Sequence, residues 1–133
     1  MEYRYRSALL IDDSLADNRI NTEIIRSCRL AKEIIVMENP VTALQYLKRC
    51  FKSLKNIPDL LFIDINMPEM NGFDLIDEIL NFSGVLRGGF KIIIVSSSMD
   101  PEDIKLANAS GFVQMFIQKP LTPEVLLKIK NSV

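Results

Sequence analysis

Charged and hydroxyl side chains follow four apolar segments of this sequence, each at the point where the segment ends. Asp12 and Asp13 follow the first of these segments, and Asp64 follows another. Three serines at 96–98 follow the third of these segments, and Lys119 follows the fourth. If the segments are adjacent parallel strands, their carboxyl ends meet at one edge of a sheet and bring these side chains together.

Three carboxylates beside a hydroxyl and an ammonium have a definite chemistry. Like charges within a few ångströms repel one another, and a hard divalent cation such as Mg²⁺ relieves the repulsion while leaving positions for phosphate oxygens. A carboxylate beside such a cation can attack a phosphoryl group and form an aspartyl phosphate. The lysine and the hydroxyl then neutralise charge on the transferred oxygens.

Each of these residues also has a simpler interpretation. Asp12 or Asp13 alone could cap the helix that follows, and Lys119 alone could be a solvated surface lysine. The serines could be turn residues. Asp64 is harder to explain in this way, because Ile65, Asn66, Met67 and Pro68 separate it from the next helix. A carboxylate that ends an apolar strand is unfavourable unless it is paired, which favours a functional role.

Five apolar runs predict the strands that position these side chains. The runs are 8–11, 34–37, 60–63, 92–95 and the less apolar 113–117. Four of the five are continuously apolar, which a strand needs only when helices cover both faces of its sheet. Helix-like segments lie between the runs, so the order is (βα)5 and the predicted fold is a doubly wound α/β sandwich.

Helical spacing of apolar residues predicts one face for each helix. The first face is Ala16, Ile20, Ile24 and Cys28, and the others contain Leu44, Leu47 and Phe51, then Phe73, Ile76 and Leu80, and finally Val125, Ile129 and Val133. Prolines preceded by Asn39, Asp100 and Thr122 mark helix starts. The segment 101–110 is the shortest and most polar helix candidate, so we expect it to be the least firmly held element.

Composition limits the classes of function. The chain has 133 residues, 48% hydrophobic and 25% charged, which is typical of one globular domain. A net charge of -1 argues against direct nucleic-acid binding, and no apolar run approaches the roughly 20 residues of a membrane span. The sequence contains no histidine, and Cys28 and Cys50 lack metal or redox spacing, so we expect both to be small buried hydrophobes. We predict a cytoplasmic protein.

Four segments together resemble the signatures of bacterial response-regulator receiver domains. They are 9–14 (LLIDDS), 62–72 (FIDINMPEMNG), 94–96 (IVS) and 119–120 (KP), in this order and each at a predicted strand end. The resemblance covers nearly the whole chain and implies a flavodoxin-like fold with a five-stranded parallel sheet of order 2-1-3-4-5. It also implies one phosphoacceptor domain over residues 1–133 without an output domain.

The resemblance implies a role for each matching residue. Asp64 is the expected phosphoacceptor, and Mg²⁺ is expected on Asp12, Asp13, Asp64 and the backbone carbonyl of Asn66. Lys119 is expected to pair with the phosphoryl oxygens, and its peptide bond to Pro120 is expected to be cis.

The switch residues also follow from the resemblance. Ser96 matches the switch hydroxyl, although the run of three serines leaves this assignment open by one position. The backbone N–H of Ser97 is a candidate second donor to the phosphoryl group. Phe116 matches the aromatic switch position but has no hydroxyl, and the stretch from Gly111 to Lys119 has about one residue more than the chemotaxis type, which leaves the register of strand five open.

The function that we predict is a stand-alone receiver in a two-component system or phosphorelay. It takes a phosphoryl group from a histidine kinase or a histidine phosphotransfer protein and signals to a downstream protein through helix four, strand five and helix five. It catalyses only its own phosphorylation and dephosphorylation. One alternative is a degenerate receiver that only docks. Another is an aspartyl-phosphate phosphohydrolase of the haloacid-dehalogenase type, although such enzymes have an acidic residue where this chain has Asn66.

Overall fold

The computed structural model describes residues 2–83 and 89–131. Strands and helices alternate along these residues, and the five strands form one parallel sheet in the order β2-β1-β3-β4-β5. The elements are β1 (Tyr5–Ile11), α1 (Leu15–Ser27), β2 (Ala31–Met37), α2 (Pro40–Ser53), β3 (Leu60–Asp64), α3 (Gly72–Ser83), β4 (Lys91–Ser96), α4 (Pro101–Ala109), β5 (Val113–Gln118) and α5 (Pro123–Lys130). The predicted doubly wound (βα)5 fold and strand order are confirmed.

Two apolar cores lie on the two faces of the sheet. One core joins alternate strand residues to α2, α3 and Ala107 of α4. The other joins the opposite strand residues to α1 and α5. Helices cover both faces, which explains the continuously apolar strands: every residue of β3 is buried. None of the helices in the described segments is long and apolar enough to cross a lipid bilayer.

The helix starts agree with the predicted capping residues. Asn39, Asp100 and Thr122 each accept a backbone N–H bond from the first turn of α2, α4 and α5, respectively. These bonds satisfy donors that a helix terminus otherwise leaves unpaired. Helix α5 ends at Lys130, and the predicted apolar position Val133 lies outside the described residues.

The predicted apolar face of α1 is wrong in its first half. Ala16 is exposed and the side chain of Ile20 is 47% exposed, whereas the buried residues of α1 are Asn18, Asn21 and Ile25. The two asparagines face the carboxyl edge of the sheet, where backbone groups need partners: Asn18 donates to the carbonyl of Asp12, and Asn21 accepts from the N–H of Leu121. Cys28 is only half-buried, while Cys50 is buried as predicted.

A β-bulge at Gln114 resolves the register of β5. Val113 lies opposite Ile92 and Met115 lies opposite Ile93, so Gln114 has no partner of its own in β4. Val113 and Met115 therefore pack on opposite faces of the sheet, although residues two apart in a regular strand share a face. The bulge accommodates the additional residue before Lys119.

Candidate acidic site at the carboxyl edge of the sheet

Strand register brings the acidic residues of β1 and β3 together. Ile11 lies opposite Ile63, so Asp12 and Asp64 follow side by side at the ends of their strands. Asp12 and Asp64 are both buried, whereas Asp13 is exposed. Asp12, Asp13 and Asp64 each offer one oxygen atom, and these three atoms lie within 4.8 Å of one another. The predicted cluster of three carboxylates is therefore present.

The ammonium of Lys119 lies among the carboxylates. Its Nζ atom is 2.6 Å from Asp12 Oδ2, 2.9 Å from Asp17 Oδ2 and 3.3 Å from Asp64 Oδ1. The Lys119 side chain is 9% exposed, so these contacts are only weakly screened by water. Lys119 neutralises part of the negative charge of the cluster.

Helix α1 fixes the geometry of Asp12. The Oδ1 atom of Asp12 accepts the N–H of Ser14 at 2.9 Å, while its backbone carbonyl accepts from Asn18 at 2.8 Å. Ser14 caps the helix and accepts the N–H of Asp17 at 3.2 Å. The first turn of α1 is thus tied to the end of β1, and it places Asp17 beside Lys119.

The three serines differ in burial. Ser96 ends β4 and is fully buried, whereas Ser97 and Ser98 are exposed. The hydroxyl of Ser96 accepts the N–H of Ser98 at 3.1 Å, and its carbonyl accepts the N–H of Lys119 at 2.8 Å. Ser96 is therefore the serine that connects the ends of β4 and β5.

The loop after Asp64 is tightly folded against that residue. A Cβ atom added to Gly72 would lie 2.6 Å from the carbonyl oxygen of Asp64, which is closer than real structures allow. The N–H of Gly72 donates to the carbonyl of Ile65 at 2.9 Å, and Glu69 has a positive φ of 72°. Asn66 is exposed in this loop. Gly72 thus lets α3 begin directly beside the backbone of Asp64.

Burial and charge shift the pKa values of the two central groups. Burial, followed by the nearby Asp12 carboxylate, raises the pKa of Asp64 from 3.8 to about 6, although Lys119 opposes the shift. Burial alone lowers the pKa of the Lys119 ammonium, but the hydrogen bonds to Asp12 and Asp17 outweigh it and raise that pKa above its ordinary value. At neutral pH the site holds an ionised Asp64 against a fully protonated lysine.

The predicted cis bond after Lys119 is observed, and the register at Phe116, which the sequence left open, is defined. The peptide bond between Lys119 and Pro120 is cis. Phe116 lies opposite Ile94 and is half-buried against the core that contains α2 and α3. The bulge at Gln114 lies before Phe116, so the residues from Met115 to Gln118 pair with β4 in unbroken register.

The donor set fits a hard divalent cation. Carboxylate oxygens are the ligands that Mg²⁺ prefers, and two of the three carboxylates are buried where charge repulsion is strong. Burial and then the Asp12 carboxylate raise the pKa of Asp64, and a cation bound between the carboxylates would offset the repulsion between them.

Sequence reasoning missed Asp17 and Asn18. Both belong to the first turns of a helix that begins directly after Asp12 and Asp13, and this proximity to the acidic pair was the available signal. The apolar spacing of Ala16 and Ile20 pointed to a different face of α1, so the polar face was overlooked.

Comparison with known proteins identifies one family, the response regulator receiver domains. Residues 8–131 match the family model of the response regulator receiver domain. The two-component response regulator ARR17 of Arabidopsis thaliana is 33% identical over 130 residues, covering 92% of this chain and 80% of that protein.

Solved structures share the fold. A two-component response regulator from Cytophaga hutchinsonii has a TM-score of 0.89 and 34% identity, covering 98% of this chain and 96% of that one. The receiver domain of the histidine kinase CKI1 from Arabidopsis thaliana, complexed with Mg²⁺ and BeF₃⁻, has a TM-score of 0.74 at 21% identity, covering 96% and 91%. The chain belongs to the family of response regulator receiver domains, the signalling modules of two-component phosphorelay systems.

Proposed function

We propose that this chain accepts a phosphoryl group on Asp64 in a Mg²⁺-dependent reaction and signals through a surface that responds to phosphorylation. The donor is a histidine kinase or a histidine phosphotransfer protein, and the output is contact with a downstream protein. The chain acts in the cytoplasm as a stand-alone receiver, with residues 1–133 as its single domain. It catalyses only its own phosphorylation and dephosphorylation.

One observation carries the proposal: three carboxylates converge within 4.8 Å, and a buried ammonium contacts two of them. A merely structural ion pair needs one carboxylate for one lysine, and extra buried carboxylates are destabilising. An arrangement with excess negative charge is suited to a divalent cation and a phosphoryl group. The CKI1 receiver domain, which shares the fold, was solved with Mg²⁺.

The side chains have distinct roles in the transfer. An Asp64 carboxylate oxygen forms the new bond to phosphorus as the bond between phosphorus and the donor histidine nitrogen breaks. The released imidazole keeps the electron pair and takes up a proton. Asp12, Asp13, Asp64 and the backbone carbonyl of Asn66 would hold Mg²⁺, which when bound would neutralise charge on the transferred oxygens.

The remaining residues stabilise and report the phosphoryl group. Lys119 pairs with its oxygens, the Ser96 hydroxyl and the Ser97 N–H donate hydrogen bonds to it, and Phe116 repacks in response. The carbonyl of Ser96 already accepts the N–H of Lys119. A movement of Ser96 is therefore transmitted to the end of β5.

The output surface consists of α4, β5 and α5. Apolar residues are exposed on these elements or next to them: Leu106 of α4 is 55% and Leu127 of α5 56% exposed, and the flanking residues Met99 and Phe112 are 45% and 43% exposed. Helix α4 has only Ala107 as a buried residue, so a small free energy suffices to move it.

Intact-mass spectrometry after incubation with acetyl phosphate tests the proposal. We expect one added phosphoryl group in the presence of Mg²⁺ and none after chelation or in the Asp64→Asn variant. The matched control is Asp77→Asn, which removes an exposed carboxylate from α3 and leaves the site intact. The control variant gains the same mass as the parent chain.

The alternatives give different results in the same experiment. A chain that only docks gains no mass under any condition and does not bind Mg²⁺. A phosphohydrolase releases inorganic phosphate rapidly and repeatedly without accumulating an adduct. Either result contradicts the proposal.

A further inference from the structure

Asp17, in the first turn of α1, contacts the site but has no role in the transfer described above. Its Oδ2 atom lies 2.9 Å from Lys119 Nζ and accepts a hydrogen bond from it, although the two residues are 102 positions apart. The Asp17 side chain is 36% exposed, compared with 7% for Asp12 and 5% for Asp64. Asp17 is not one of the three carboxylates that converge as candidate cation ligands.

The partners of Lys119 differ in what else they bind. Asp12 and Asp64 belong to the proposed cation site, so a bound divalent cation competes with the ammonium for their oxygens and also repels it. The contact at 2.6 Å with Asp12 is the shortest that Lys119 makes, and a cation bound to Asp12 would weaken it directly. Asp17 lies outside the ligand set, so a bound cation does not compete for its oxygen atoms.

We propose that Asp17 is a positioning residue that holds the Lys119 ammonium beside Asp64 while a divalent cation occupies Asp12, Asp13 and Asp64. The inference rests on the proposed transfer to Asp64. A lysine side chain is long and flexible, so an ammonium that loses its carboxylate partners samples many positions. Holding it in place before the phosphoryl group arrives removes that entropic barrier from the transfer.

A structural role makes a different prediction. A carboxylate in the first turn stabilises a helix through its dipole, and its loss then lowers stability without changing the chemistry. The transfer rate at saturating Mg²⁺ therefore separates the two roles, because only the positioning role changes it.

The test uses Asp17→Asn, with Asp17→Glu as the conservative variant. The matched control is Glu23→Gln on the same helix, an exposed carboxylate that pairs with Arg26 at 3.5 Å. Mg²⁺ affinity is measured by titration, and the transfer rate by the time course of mass gain from acetyl phosphate at saturating Mg²⁺.

For Asp17→Asn we expect Mg²⁺ affinity within about threefold of the parent and a rate roughly tenfold lower, as for the loss of a partly exposed charge-assisted hydrogen bond. Asp17→Glu recovers part of the rate, and Glu23→Gln matches the parent.

A double-mutant cycle shows whether Asp17 acts through the lysine. In a Lys119→Ala background, Asp17→Asn is expected to cause no further loss of rate, because the group that it positions is absent. A second readout does not depend on phosphoryl transfer. In the Mg²⁺-loaded chain, we expect the ¹⁵N signal of the Lys119 ammonium to report one ordered position in the parent and an average over several positions in Asp17→Asn.

Several results overturn the inference. An unchanged rate in Asp17→Asn, or a loss of Mg²⁺ affinity that accounts for the whole change in rate, contradicts it. An additive loss in the Lys119→Ala background also contradicts it. These results leave the proposed function intact, whereas a parent chain that takes up no phosphoryl group overturns both proposals.

Discussion

Asp64 ionises in surroundings that oppose its charge. Its pKa is raised to about 6 from 3.8, first by burial and then by the Asp12 carboxylate. Between about pH 4 and pH 6 the folded chain therefore keeps a proton that the unfolded chain has released. The free energy of unfolding falls as pH rises through this window, because the folded state binds more protons there.

Replacing Asp64 by asparagine removes this destabilisation. At pH 7.5 with a chelator present, we expect Asp64→Asn to raise the free energy of unfolding by on the order of 2 kcal/mol. The gain disappears at about pH 3, below both pKa values, where the carboxyl group is protonated in both states. Urea denaturation at the two pH values measures it, with Asp77→Asn as the control. An equal gain at both pH values would show that the charge of Asp64 is not the cause.

The burial of Ser96 and the exposure of Ser97 predict different effects of substitution. We expect Ser96→Ala to lower the free energy of unfolding by about 1 kcal/mol, because the N–H of Ser98 loses its acceptor. It also abolishes the change in the NMR spectrum of β5 on phosphorylation. Ser97→Ala keeps its backbone N–H, so stability and spectral change both stay close to those of the parent. The opposite pattern would assign the switch to Ser97.

At the scale of the elements, the turn from β3 into α3 is tightly constrained. We expect Gly72→Ala to lower the free energy of unfolding by about 1 to 3 kcal/mol, since the new Cβ atom pushes against the carbonyl of Asp64. It also slows phosphorylation, because the backbone that moves belongs to the phosphoacceptor. Gly111→Ala is the control, as nothing lies within 4 Å of the added atom there. Urea denaturation and mass gain from acetyl phosphate measure the two effects, and equal behaviour of the two variants contradicts the close approach.

The bulge in β5 makes a prediction about deletions. Removing Gln114 leaves Val113 and Met115 as neighbours on opposite faces, as they already are, so we expect stability within about 1 kcal/mol of the parent and normal phosphorylation. Removing Gln118 instead shifts Lys119 by one position and turns it to the other face, which lowers the phosphorylation rate at least about tenfold. Denaturation and mass gain distinguish the two deletions. Equal damage from both would contradict the observed register.

At the scale of the whole molecule, the helices are unequally anchored. Helix α2 buries six residues, whereas α4 buries only Ala107. Opening of α4 therefore exposes little apolar surface and needs a smaller free energy. The helix that buries the fewest residues thus also carries exposed Leu106, and the exposed residues Met99 and Phe112 lie in the segments before and after it.

Hydrogen exchange tests whether α4 is less firmly anchored than α2. We expect the amides of α4 to exchange faster than those of α2 in the unphosphorylated chain. Phosphorylation is then expected to change the exchange of α4 and β5 more than that of α2, because these elements adjoin Ser96 and Lys119. The control is Asp64→Asn under the same conditions, which should show no change. A uniform change over all helices would contradict a localised output surface.

The sequence by itself determined the number and order of the strands and the residues at their carboxyl ends, although β1 and β2 begin three residues before the predicted runs. Continuous apolar runs and proline-marked helix starts are local signals, and they placed Asp12, Asp13, Asp64 and Lys119 at one edge of the sheet. The carboxyl ends of parallel strands always meet, so a correct strand assignment was sufficient to predict this cluster.

Only the tertiary structure decided which side chains complete the site. The contact between Asp17 and Lys119 depends on the rotation of α1 against the sheet, which local periodicity did not predict because Asn18 and Asn21 are buried in place of Ala16 and Ile20. The position of the additional residue in β5 likewise depends on pairing with β4. Such features arise from contacts between segments distant in the chain, and local residue preferences do not encode them.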